Sequence, residues 1–280
     1  MQPLGPVRVI DLFPGERESL LDLLDRLSPE QWAMATACPG WSVHDVALHI
    51  LGGDIGNLSG GRDGYIDRHA TQGVDFTQWE SLLVFINRRN DDWVRATRRI
   101  SPRLLREFLG VTGAAIHQYF ARLDPDAIGM PVNWAGPDPA PVWLHIAREY
   151  TERWMHQQHI RDAVGQPGLK ERAWFAPVLD TFARALPHTL RAVAAPAGTT
   201  VRLVITGEAG EAWQVLKLDG AWALTAEAVP APDATLTLDQ ETAWRLFTKG
   251  LSKDAALPQV ILEGDRGLAA GVLDMVSILA

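Results

Sequence analysis

His145, Glu149, Glu152, His156 and His159 recur at intervals of four, three, four and three residues, the spacing at which an α-helix lines up one face. At about 100° per residue the five side chains fall in a band roughly 80° wide. Trp143, Ala147, Tyr150 and Trp154 take the opposite side, with Leu144, Ile146 and Met155 between, so the helix is expected to be buried most of the way round. Imidazoles and carboxylates turned into an interior are costly unless they are paired, hydrogen-bonded or coordinating a metal. A metal neutralises several at once. Glu152 and His156, four apart, can reach one ion, although such a pair is more often a surface interaction. His49, four residues after Asp45 in a segment whose other inward positions are apolar, offers a third donor, although a lone histidine there is usually a satisfied core residue. Three ligands leave zinc an open position, the arrangement of a catalytic site. Two histidines and a glutamate equally suit nickel, iron or manganese.

The elements that must position these residues follow from apolar periodicity and punctuation. Leu20, Leu21, Leu23, Leu24 and Leu27 mark a helix from Pro14 to Leu27, ended by Ser28-Pro29. Ser42 stands three residues before Asp45, a capping-box arrangement that starts a second helix near Val43. Residues 52–75, rich in Gly and Asp, predict a long, partly irregular connection of the kind that lies over a site. Further helices are expected from about Phe76 to Ile100 and from Pro102 to about Leu123. The five prolines within 124–142 exclude a regular element and predict an ordered loop. Pro141 then opens the seam helix, which ends at Ala163-Val164-Gly165.

Beyond that point the pattern changes. A helix from Trp174 to about Val193 leads into alternating segments at 200–205 and 213–218, with further strands at 221–224 and 234–238. Asp239 caps a helix from Glu241 to Phe247, and Leu268–Leu279 predicts a final helix. The expectation is a helical bundle over 1–168 followed by a small α+β domain over 169–280.

Composition narrows the function classes. At 280 residues, 47% hydrophobic and 21% charged, the chain is a folded protein rather than a disordered or fibrous one. A formal net charge of −8 argues against nucleic acid or an anionic membrane as partner. No apolar run reaches about 18 residues, and the first residues lack the basic and apolar regions of a signal peptide. A cytoplasmic protein acting on small molecules is expected, with a homo-oligomer left open. The single cysteine, Cys38, excludes an intrachain disulfide and a Cys-rich zinc site, and its bland reading is a small buried hydrophobe. The arginines from Arg88 to Arg106 read as a solvated face paired with Asp91 and Asp92. Trp134 is either a pocket wall or a core anchor. His44, His69, His117 and His188 have no constellation.

Two stretches carry a resemblance. Trp41-Ser42-Val43-His44-Asp45-Val46-Ala47-Leu48-His49 and Glu152-Arg153-Trp154-Met155-His156, continuing through Ile160-Arg161-Asp162-Ala163-Val164-Gly165, resemble the two motifs of the mycothiol-dependent maleylpyruvate isomerase family. That family lies within the DinB-like group of metal-binding four-helix bundles. Leu262-Glu263-Gly264-Asp265 and the apolar stretch after it are similar to the small, sterol-carrier-like carboxy-terminal domain of many members. The resemblance implies His49, Glu152 and His156 as ligands of a divalent metal, typically zinc. It further implies an enzyme in which zinc activates a low-molecular-weight thiol such as mycothiol for isomerisation or S-transfer on a small electrophile. His159 or Asp45 would move the proton, His145 and Glu149 would hold the ligands or serve a structural network, and Arg245, Lys249 and Trp134 would contribute to binding. His159 stands where many members carry Asp, and Trp244–Gly250 lacks the Arg-rich ending often found there, which points away from maleylpyruvate itself. A zinc-hydroxide hydrolase, with Glu149 or His159 as base, and a non-catalytic metal- or ligand-binding protein are the alternatives.

Overall fold

The computed structural model describes residues 2–65, 75 and 79–277. They form two compact units interleaved along the chain. Ile10–Leu123 and Arg153–Gly168 make one, and Met1–Val9, Asp124–Glu152 and Leu169–Ala280 make the other.

In the helical unit, α1 (Phe13–Asp25) buries Leu20, Leu23 and Leu24. The single turn α2 (Pro29–Trp32) begins at a Ser28/Gln31 capping box. The expected Ser42/Asp45 box starts α3 (Val43–Gly56), and Ser101 caps α5 (Pro102–Phe120). The seam helix α6 (Val142–Val164) is continuous and passes from one unit to the other between Glu152 and Arg153. Gly165, at φ 67°, ends it in a left-handed conformation that a side chain resists. Leu20, Leu24, Val46, Ala47, Leu51, Leu105, Leu109 and Ile160 pack into one core. It is shared by α1, α3, α5 and the C-terminal half of α6, while α4 (Trp79–Thr97) packs on α3. Of the helix expected over 76–100, residues 76–78 lie outside the described residues.

The connection expected over 52–75 is more regular at its start than its composition suggests. α3 continues through Gly52, Gly53 and Gly56, and a π-helical turn follows at Asn57–Arg62. The cause is a close approach. A Cβ on Gly52 would lie 2.6 Å from Trp93 Nε1, and that nitrogen donates to the Leu48 carbonyl at 2.8 Å. Packing against α4 outweighs the poor helix propensity of glycine, about 1 kcal/mol per residue. Residues 66–74 of that connection, including His69, lie outside the described residues.

The proline-rich stretch is also corrected. β1 (Ile128–Pro131) and β2 (Pro139–Pro141) pair antiparallel, with an irregularity between the two pairings. Proline lacks only the donor, so in a two-stranded ribbon it can occupy positions that owe no ladder bond. The helix expected over 174–193 breaks into α7 (Arg172–Ala183) and α8 (Leu186–Thr189), because Pro187 has no N–H to offer the Ala183 carbonyl.

The sheet has the order β5-β4-β3-β6-β7, built from β3 (Thr200–Thr206), β4 (Ala212–Lys217), β5 (Trp222–Thr225), β6 (Ala234–Asp239) and β7 (Ile261–Gly264). β3 and β6 are parallel and every other neighbouring pair is antiparallel. Val201, Leu203 and Ile205 alternate with less buried neighbours along β3, the two-residue period of a sheet covered on one face. Asp239 caps α9 (Gln240–Phe247), which is followed by α10 (Lys253–Ala256) and, after β7, by α11 (Arg266–Gly271). The final helix stops well short of the expected Leu268–Leu279 span. A 3₁₀ turn at Val272–Asp274 follows, and Ser277 donates its N–H to the Phe247 carbonyl and its hydroxyl to that of Phe182. Tertiary acceptors replace helical ones there. Among the described residues no helix is long and apolar enough to cross a membrane.

Candidate metal centre

Two helices present the donors, and each is oriented by buried polar contacts. At the start of α3, Asp45 accepts from the Ser42 N–H at 3.0 Å and from Arg98 Nε and Nη2 at 2.8 and 3.0 Å. Burial pushes the Asp45 carboxyl up, but the bonds from Arg98 and Ser42 outweigh it and hold it below the usual carboxylate range. One turn on, the His49 ring packs 5.0 Å from the Trp41 ring and 4.5 Å from the His156 ring. His156 is 5% exposed, and burial pushes its imidazole down to about 4. Neutral imidazole is the form that binds a metal.

Glu152 stands one turn before His156 on the same uninterrupted helix. His49, Glu152 and His156 each offer a donor atom, all within 4.8 Å of one another. Two imidazoles and one carboxylate are a donor set that suits a divalent ion. A second donor group overlaps the first: Cys38, His156 and His159 also lie within 4.8 Å of one another. Cys38 Sγ and His159 Nδ1 are 3.2 Å apart, and burial pushes the Cys38 thiol up to about 11.

Behind this face a charged network fixes the rotation of α6. Asp54, on α3, is wholly buried and accepts from Arg17 at 2.7 Å, Arg153 at 2.8 Å and Thr112 at 2.6 Å. Gln157 donates to Glu16 Oε1 at 2.8 Å and accepts from Arg161 Nη2 at 2.9 Å, which also reaches Ser19 Oγ at 2.7 Å. Sequence reasoning missed this network. Its signal was present in Arg153, Gln157 and Arg161, a second polar line at four-residue intervals on the same helix.

A cleft of about 450 Å³ opens beside His49, walled by Gly52, Ile55 and Gly56 of α3, Ser59, Gly60 and Tyr65 beyond it, and Arg89, Asn90 and Trp93 of α4. That volume suits a small molecule. The part of the 52–75 segment that is described thus borders the candidate site. Of the surface pairing expected on Asp91 and Asp92, Asp92 has wide, exposed contacts to Arg88 at 3.7 Å and Arg95 at 4.0 Å, whereas Asp91 accepts from Trp41 Nε1 at 3.2 Å and Arg103 and Arg106 pair with Glu107 and Asp25.

The structure gathers His49 with Glu152 and His156, and His159 with His156 and Cys38. Asp45 serves the helix cap and Arg98. Arg148 Nη2 bonds Glu149 Oε1 at 2.6 Å and meets His145 Nδ1 at 3.1 Å. Trp134 is buried in the other unit, and its Nε1 has no hydrogen-bond partner among the described residues. Arg245, also in that unit, pairs with Glu241 and lies 4.4 Å from the Trp244 ring centroid, while Lys249 is exposed at the end of α9.

Two solved structures share the fold. A mutant of the mycothiol-dependent maleylpyruvate isomerase superposes with a TM-score of 0.51 at 10% identity, covering 91% of each chain. The same isomerase without that mutation gives 0.50 at 11% identity, over 88% of this chain and 91% of that one. Sterol carrier protein 2 like 2 from Aedes aegypti is 24% identical over 35% of this chain and 95% of its own, with a TM-score of 0.27, a value from which no shared fold follows. No curated protein matches in sequence. The family described as mycothiol maleylpyruvate isomerase N-terminal domain matches residues 13–161, more than half of the chain. By that match, this protein belongs to the mycothiol maleylpyruvate isomerase N-terminal domain family.

Proposed function

We propose that this chain is a metal-dependent enzyme that uses a low-molecular-weight thiol, mycothiol or a close relative, to isomerise or conjugate a small electrophile. The observation that carries the reading is the convergence of His49, Glu152 and His156 donor atoms within 4.8 Å, with His49 also walling the 450 Å³ cleft. These three residues would hold the metal, with zinc the leading candidate. A zinc ion held by them supplies a Lewis acid that favours thiolate over thiol and so makes a sulfur nucleophile available near neutral pH.

The chain's own residues do the rest. Ile55 and Trp93 offer apolar contact to the bound molecules and exclude water from one side of the cleft, while the exposed Arg89 guanidinium orients a carboxylate at its mouth. His159 is the proton carrier of this reading. Its Nδ1 faces Cys38, and its imidazole takes the thiol proton and returns it to the carbon next to the one that has gained the sulfur. Asp45, held ionised by Arg98, keeps the start of α3 and therefore His49 in place. Arg245, Lys249 and Trp134 are proposed to act in specificity through the sheet unit.

The test is calorimetric titration of mycothiol into the zinc-loaded full chain. Zinc-dependent binding that disappears in His49→Ala and Glu152→Gln supports the reading. Absence of binding in the wild type, or equal binding in both variants, refutes it.

A further inference from the structure

Cys38 has no place in the mechanism above, yet it is held with unusual care. Its N–H donates to Thr36 Oγ1 at 3.2 Å, its carbonyl accepts from the Trp41 N–H at 3.1 Å, and the Thr36 N–H in turn donates to the Trp41 carbonyl at 3.1 Å. This turn aims the sulfur at His159, with Sγ 3.2 Å from Nδ1. The His159 ring lies 5.4 Å from that of His156, and the three side chains offer donors within 4.8 Å of one another. In a tetrahedral zinc site with ordinary Zn–S and Zn–N bonds, neighbouring donors are about 3.3–3.8 Å apart. The Cys38–His159 edge is already close to that length.

We propose that Cys38, His156 and His159 form a second metal position, for zinc or another thiophilic divalent ion, overlapping the His49–Glu152–His156 position at His156. One thiolate and two imidazoles are a softer donor set than two imidazoles and a carboxylate. The chain thus offers one ion two neighbouring seats of different chemistry. Formation of the sulfur–metal bond breaks the Cys38 S–H bond and releases one proton to solvent per ion bound. The second position does not depend on the thiol chemistry proposed above. Removing Glu152 damages only the first seat, removing Cys38 only the second, and removing His156 both.

The experiment is cobalt(II) loading of the full chain in thiol-free buffer, followed by near-ultraviolet absorption and metal content. Cys38 is the single cysteine, so a thiolate-to-cobalt charge-transfer band reports on it alone. The expected result is a band in the wild type, retained in Glu152→Gln and lost in Cys38→Ser. Cobalt bound without the band, with its stoichiometry falling in Glu152→Gln, overturns the second position and leaves the first intact. No cobalt bound at all overturns the second position and also removes the metal premise of the proposed function. Should Cys38→Ser fail to fold, iodoacetamide alkylation of the wild type decides. Slowing of at least tenfold by bound cobalt is expected, and an unchanged rate overturns the proposal.

Discussion

Arg153 Nη2 meets Asp54 Oδ1 at 2.8 Å with the two side chains 4% and 0% exposed, which locks α6 to α3 three residues before His156. Arg17 closes on the other carboxylate oxygen from α1 at 2.7 Å. The direction in which α6 presents Glu152, His156 and His159 is therefore set by charges on a different face of the same helix.

Asp54→Ala strands two buried guanidinium groups and should cost about 3–5 kcal/mol. Urea denaturation measures it, and a loss below about 1 kcal/mol would show that water reaches the arginines. Burial pushes the Asp54 carboxyl up, but Arg17 and Arg153 more than compensate and hold it below its ordinary value. Its contribution is consequently complete above an unfolded-state pKa of about 3.9 and is lost as pH falls through the lower folded value.

Glu16 should behave in the opposite way. Burial outweighs the nearby Arg17 and Arg153 charges and raises its carboxyl. Its contribution is complete below an unfolded pKa of about 4.3 and is lost as pH rises through the folded value. Glu16→Gln keeps an acceptor for Gln157 while removing the charge, so the variant should gain on the wild type as pH rises from about 4 to 8. Urea midpoints across that range test this, and a constant gap would contradict it.

His156 predicts a further acid sensitivity in metal-free protein. Its imidazole is pushed down to about 4 by burial, so stability present above an unfolded pKa of about 6.5 is lost as pH falls through about 4. The full effect is at most about 3 kcal/mol. After chelator treatment, His156→Gln should flatten this part of the stability profile. A slope identical to that of the wild type would place the titration elsewhere.

Gly52→Ala drives a methyl into the Trp93 indole, 2.6 Å from Nε1. Overpacking of this kind costs about 1–3 kcal/mol. Trp93→Phe, which removes the contacting nitrogen, should recover part of the loss in the double variant, a non-additivity expected only of touching residues. Strict additivity of the two melting shifts would mean that α3 and α4 separate freely at this point.

Much of the fold was legible because it is local. The Ser42/Asp45 box, the Gly165 stop, the alternation along β3 and the cap at Asp239 each depend on contacts within a turn or on a two-residue period. The Pro-rich pair β1–β2 was not legible, since strand pairing is decided by a partner segment and proline forbids only a donor. The end of α11 was hidden for a similar reason, because the acceptors of Ser277 lie 30 and 95 residues back in the sequence.

For the candidate site the same divide holds. The sequence by itself determined that His145, Glu149, Glu152, His156 and His159 share one stripe of a helix, because helical geometry follows from hydrogen bonds four residues apart. Only the tertiary structure decided which of them meet a partner. His49 reaches the stripe from α3, Cys38 meets His159 across 121 residues of chain, and Asp54 and Glu16 meet Arg153 and Gln157 across 99 and 141. Those pairings come from how the helices pack around Leu20, Leu51 and Ile160. Buried charge then favours the rotation of α6 that sets Arg153, with Arg17 of α1, against the Asp54 carboxylate.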